Sequence, residues 1–171
     1  MTPTPTGRVL RDGDRHTLVQ TRTFHAPIGD VWASVTEPER LERWIGTFTG
    51  DPETGSVMFR MTAEGQDAEA EEMEIRECEP PRRLALTSRV GEMTWYLELD
   101  LVEVDGVTTV TFSQPDIDPA SCENVGPGWE YYLDRWVSAV SGGDVDAHDF
   151  DRDYYPAMKA YYEDQAGSQE A

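Results

Sequence analysis

Residues 126–143, GPGWEYYLDRWVSAVSGG, decide the fold. Trp129, Tyr132, Leu133, Trp136, Val137 and Val140 recur at intervals of three and four, which places them on one face of an α-helix. Glu130, Asp134, Arg135 and Ser138 fall on the opposite side. Pro127 suits a first helical turn, where its missing N–H has no intrahelical partner to lose. Gly142 and Gly143 follow the last apolar residue and supply a left-handed C-terminal cap. The spacing predicts a helix of about sixteen residues, roughly 24 Å long. Two tryptophans on one face need a broad apolar partner. The chain upstream offers one, as a series of strands curving around the helix.

Residues 94–103 carry the strongest alternation, with Trp95, Leu97, Leu99 and Leu101 on one side against Tyr96, Glu98 and Asp100. Asp105-Gly106 is a tight hairpin turn that leads into 107–114, where Val110 and Phe112 face inward. Further upstream, residues 82–90 place Leu84, Leu86, Ser88 and Val90 on one side, and 73–78 form another strand ending at Pro80-Pro81. Residues 56–62 alternate through Val57, Phe59 and Met61, while acidic 64–72 reads as a hairpin end, a solvated strand or a helix. Residues 16–24 (HTLVQTRTF) open the sheet, with Leu18 and Phe24 on one face. Two short helices follow, 28–35 and 38–44, with Thr36 and Glu39 forming a capping box for the second. Residues 1–14 are expected to be flexible, 15–143 to form the domain, and 144–171 to be an acidic linker, a short terminal helix over 154–162 and a disordered end from Gly167.

At 171 residues the chain suits one domain with a substantial core. Its 14 basic residues face 34 acidic ones, a net charge of −20. That balance argues against nucleic acid and against anionic membrane surfaces, both of which are held by clustered Lys and Arg. Cys78 and Cys122 have no metal or redox spacing and read as two free thiols in a reducing compartment. The N-terminus shows no apolar leader and no run long enough to span a bilayer, so a cytoplasmic location is expected.

The order of strand, two short helices, antiparallel strands and long helix resembles the helix-grip fold of the START/SRPBCC superfamily. This is an α+β class, with a curved antiparallel sheet of about six or seven strands wrapped around a long C-terminal helix. Ala26, Pro27, Val31, Trp32, Thr36, Pro38, Leu41 and Trp44, spaced AP-x3-VW-x3-T-x-P-x2-L-x2-W, resemble the opening motif of homologues of the activator of heat-shock protein 90 ATPase. Pro80-Pro81-Arg82-Arg83-Leu84 and Gly128-Trp129-x3-Leu133-x2-Trp136 resemble that family's strand and helix starts. The resemblance implies a cavity between sheet and helix able to hold an apolar small molecule, and it implies no particular chemistry.

No catalytic constellation accompanies it. His16, His25 and His148 are far apart, and the acidic run 144–153 lacks the glycine and the glutamate of a calcium loop. Acidic neighbours suppress both thiols, and no nucleophile elbow or phosphate-cradling loop occurs. Glu98, Asp100, Arg60 and Arg89 fall on the outward phase, while Tyr131, Tyr132 and Asp134 are expected at a pocket mouth. The expected ligand-lining residues are Phe59, Met61, Trp95, Leu97, Leu99, Phe112, Trp129, Tyr132, Leu133 and Trp136. The reading is a binding protein rather than an enzyme, needing no metal or cofactor, taking a small apolar molecule, and existing as monomer or homodimer. A protein-binding module like the chaperone activator is the alternative, and a cyclase- or dehydratase-type enzyme using the same cavity is a third.

Overall fold

The computed structural model describes residues 3–65 and 68–168, and in it the alternating segments become one curved antiparallel sheet. Its strands are β1 (Arg8–Asp12), β2 (Arg15–Phe24), β3 (Thr47–Thr49), β4 (Ser56–Arg60), β5 (Glu71–Glu79), β6 (Arg83–Val90), β7 (Met93–Val104) and β8 (Val107–Pro115). They lie in the order β1-β2-β8-β7-β6-β5-β4-β3. The β7–β8 hairpin turns at Asp105 and Gly106, both at positive φ, as the Asp-Gly pair predicts. Period-two alternation survives intact in β8, where Thr108, Val110, Phe112 and Gln114 are buried on the face that meets the helix.

Between β2 and β3 lie α1 (Ile28–Thr36) and α2 (Pro38–Leu41). The expected capping box is absent. Glu37, in extended conformation, occupies the N-cap of α2 without a side-chain bond to the helix's backbone N–H groups, and the Thr36 hydroxyl donates back to Trp32 O at 2.8 Å. Since α1 runs through Thr36, that hydroxyl sits closer to its own preceding turn than to the next helix.

The long helix α3 spans Cys122–Ser141, twenty residues rather than about sixteen. Pro127 is thus inside it and not in its first turn. The extra turn is held from outside: Cys122 and Gly126 are buried, and a Cβ at Gly126 would run into the Tyr162 ring. Tertiary packing thereby offsets the cost of an interior proline. The C-terminus ends as predicted, on Gly142 in left-handed conformation with its N–H on Ser138 O.

The sheet has eight strands where about six or seven were expected, because β1 and the three-residue β3 were not legible as strands. Residues 8–12, expected to be flexible, pair fully with β2 from Arg8↔Val19 to Asp12↔Arg15. Val9 is the reason: it has no exposed surface, whereas the other residues of the strand are exposed. Residues 62–64 form a short 3₁₀ turn, and β5 begins only at Glu71.

The terminal helix, α4 (Lys159–Ser168), starts five residues later than predicted. Tyr155 precedes Pro156 and is extended, which bars the helix from passing through it. Gly167, expected to be disordered, belongs to α4; residues 169–171 of that expected disordered end lie outside the described residues. Tyr154, Met158, Tyr162 and Ala166 join the same core cluster as Trp136 and Phe112.

Candidate functional site

The concave face of the sheet does not close on α3 along its whole length. Between them lies a cavity of about 220 Å³. Its floor is Leu84 and Leu86 on β6, Leu97 and Leu99 on β7, and Phe112 on β8. Trp129, Leu133 and Trp136 of α3 form the roof, while Trp32, Trp44 and Ile45 close one end and Phe48, Val57 and Phe59 the other. Thr36 is the single hydroxyl-bearing side chain in the lining. The exposed residues Pro52 and Cys78 also line it, marking the side where it reaches solvent.

Three of the residues expected there lie elsewhere. Met61 follows β4 out of the strand, Trp95 is half-buried near the β6–β7 turn, and Tyr132 is buried edge-on against Trp129 and Tyr131. Tyr132 misses the cavity because it is turned about 100° around the helix from Leu133. The other seven expected residues line it. The two short helices, absent from the expected lining, contribute Trp32, Leu41, Trp44 and Ile45 to it.

The indoles are held as well as packed. Trp44 and Trp136 stack at 4.8 Å with planes 5° apart. Both donate to one residue, Trp44 Nε1 to Ser34 O at 3.0 Å and Trp136 Nε1 to Ser34 Oγ at 2.6 Å. Trp129 Nε1 donates to Gln114 Oε1 at 2.9 Å, so the donors of these three indoles are satisfied away from the cavity. Apart from Thr36 and Cys78, apolar and aromatic side chains line the cavity, a surface suited to an apolar body.

The polar groups lie elsewhere. Glu98 and Asp100 pair with Arg83 on the outer face of the sheet, at 3.0 and 2.9 Å. Asp134, expected at the pocket mouth, instead belongs to a polar seam between α3, β2 and the chain ends. Arg22 donates through Nε to Asp134 Oδ1 at 2.8 Å and through Nη2 to Glu130 Oε1 at 3.0 Å. Glu130 also accepts from Thr6 N and Thr6 Oγ1, at 2.7 and 2.6 Å. Tyr154 OH donates to Asp134 Oδ2 at 2.7 Å and lies 3.2 Å from His148 Nδ1, whose Nε2 meets Ser138 Oγ at 2.8 Å. Glu130, assigned by helical phase to the outer side, has no exposed surface. It turns off the cavity-lining face of α3 toward Arg22 on β2, where the N-terminal segment closes over it.

Burial by itself would lower the Arg22 pKa, but the charges of Asp134 and Glu130 outweigh it and hold the guanidinium above its ordinary value. Arg22→Ala would strand the Glu130 carboxylate without a cation, at an expected cost of about 3 kcal/mol in a denaturant titration. Adding Glu130→Gln should recover part of that loss, since the orphaned charge is then gone. A single variant as stable as wild type would mean the pair contributes nothing.

The described helices include none long and apolar enough to cross a membrane. The family described as activator of Hsp90 ATPase homolog 1-like protein matches residues 25–141. None of the curated proteins matches the chain in sequence. Among solved structures, CalU16 from Micromonospora echinospora is 25% identical, with 96% of this chain and 92% of that one covered and a TM-score of 0.66. EF2215 from Enterococcus faecalis, a conserved protein of unknown function, superposes at a TM-score of 0.72 with 17% identity over 96% and 92% of the two chains. DynU16, a protein of the dynemicin biosynthetic locus, is 19% identical over 75% of this chain and 49% of its own, at a TM-score of 0.58.

Proposed function

The chain belongs to the activator of Hsp90 ATPase homolog 1-like family, and from that premise and the form of its cavity we propose that it binds a small apolar ligand between sheet and helix. The observation that carries this reading is the cavity of about 220 Å³ with an almost wholly carbon lining. A dry cavity of about 150 Å³ accepts benzene, so this one suits a bicyclic aromatic or a short branched hydrocarbon. Enclosure contributes about 25 cal/mol per Å² of ligand surface, before the cost of immobilising the ligand. The net charge of −20 favours neutral or cationic molecules over fatty acids of equal apolar area, which approach against the field.

N-phenyl-1-naphthylamine, a neutral dye, should brighten on binding and quench the fluorescence of Trp44, Trp129 and Trp136, which line the cavity. Leu86→Trp fills the floor, and should weaken dye binding by at least about tenfold while shifting stability by less than about 1.5 kcal/mol. Binding unchanged in this variant would place the dye elsewhere. With no dye bound by wild type at all, the cavity reading fails, and the alternative of a surface that docks a protein partner takes its place.

A further inference from the structure

The molecule has a second concavity, of about 290 Å³, that shares no lining residue with the apolar one. It lies where α1 and α2 meet the C-terminal half of α3, with Asp30 and Ser34 from α1, Arg40 and Arg43 from the α2 corner, and Ala139 and Val140 from α3. Ser34 accepts both indole N–H groups of the stacked Trp44–Trp136 pair, so that pair separates this pocket from the apolar cavity. The pocket is polar where the other is carbon.

Its charges are arranged unusually. Asp30 and both arginines line one space, yet neither arginine comes within 4 Å of the Asp30 carboxylate. Arg40 pairs only with Glu37, at 3.5 Å and with both side chains about half in water, an interaction of little strength. Among the described residues, no side chain pairs with Asp30 or Arg43. Opposite charges that share a pocket without meeting leave room between them for a molecule that carries both.

We propose that this pocket binds a small zwitterion of the α-amino acid class. The carboxylate lies against Arg43 and Arg40, where planar guanidinium groups can grip it bidentately. The ammonium lies against Asp30, and a short aliphatic side chain rests on Ala139 and Val140. Net charge supports the same choice. With a chain charge of −20, a simple anion does work against the whole-protein field, whereas a zwitterion has no net charge to repel. A simple cation would satisfy Asp30 but would have to approach two arginines.

Calorimetric or NMR titration of the full chain with L-leucine tests this. Saturable binding is expected. L-leucine methyl ester lacks the carboxylate and 4-methylpentanoate lacks the ammonium, and each should bind at least about tenfold more weakly. Arg43→Gln and Asp30→Asn should each weaken L-leucine by at least about tenfold. Both positions are exposed, so both variants should melt with wild type. The apolar dye should bind all three proteins equally, which separates this site from the cavity. No saturable L-leucine binding would overturn the proposal, as would binding unchanged in either variant. Equal binding of 4-methylpentanoate would also overturn it, by reducing the pocket to an anion site.

Discussion

Truncation after Asp153 is expected to lower the melting temperature by on the order of 10 °C in a thermal unfolding scan. The cut removes Tyr154 and Tyr162, neither with any exposed surface, together with Met158 at 2% and Ala166 at 6%. Each large buried side chain contributes roughly 1.5–3 kcal/mol through the area it takes from water. Polar connections go with them. Gly7 N–H and Gln20 Nε2 both donate to Tyr162 OH, at 3.1 and 2.8 Å, and Tyr161 OH donates to Gly7 O at 2.6 Å. The shortened chain would leave these backbone and amide groups of β2 and the N-terminal segment without partners, and would open Gly126 and Val9 to solvent. Part of the loss is returned as conformational freedom of the removed residues. A truncated chain that melts with the full one would show that 154–168 only rests on the surface.

Trp136→Ala is expected to cost about 3–5 kcal/mol in a denaturant titration, without a change in slope. The indole is fully buried, stacked on Trp44, and set at 4.9 Å from Phe24. Its N–H satisfies Ser34 Oγ, so the substitution also removes a donor from a buried hydroxyl. Trp129→Ala, at a half-buried position on the same helix face, should cost visibly less, because one side of that ring already borders the cavity. Equal losses at the two positions would mean that the cavity is filled in solution. Trp136→Ala should also enlarge the cavity and admit a bulkier dye than wild type takes.

Seven of the ten residues expected around a ligand do line the cavity, and the three that do not share a cause. Alternation and helical spacing report which side of an element is apolar. They do not report whether that side meets a void or a neighbour. Met61, Trp95 and Tyr132 are apolar and turned away from bulk water, but Met61 leaves its strand early and the other two meet protein. That the two short helices close the cavity end with Trp32, Trp44 and Ile45 depends on where a loop places them, which their own spacing does not report.

Residues 94–103 and 129–140 declare strand and helix by their own spacing, because the side-chain period of each element is a local property. The hairpin at Asp105-Gly106 and the cap at Gly142 were legible for the same reason, since each depends on one residue's backbone freedom. Helix-grip order follows once those elements are counted. The fate of the chain ends was not local. Residues 8–12 became a strand because β2 had a free edge, and α4 docked because Gly126 left space for the Tyr162 ring. Glu130 is the sharpest instance. Its helical phase sets it off the Trp129–Trp136 face of α3, yet it turns toward β2 near the edge of the sheet. That this side is buried, and that Arg22 stands ready there to neutralise it, arises only when two distant segments close over it, because burial belongs to the assembled surfaces and not to any one of them.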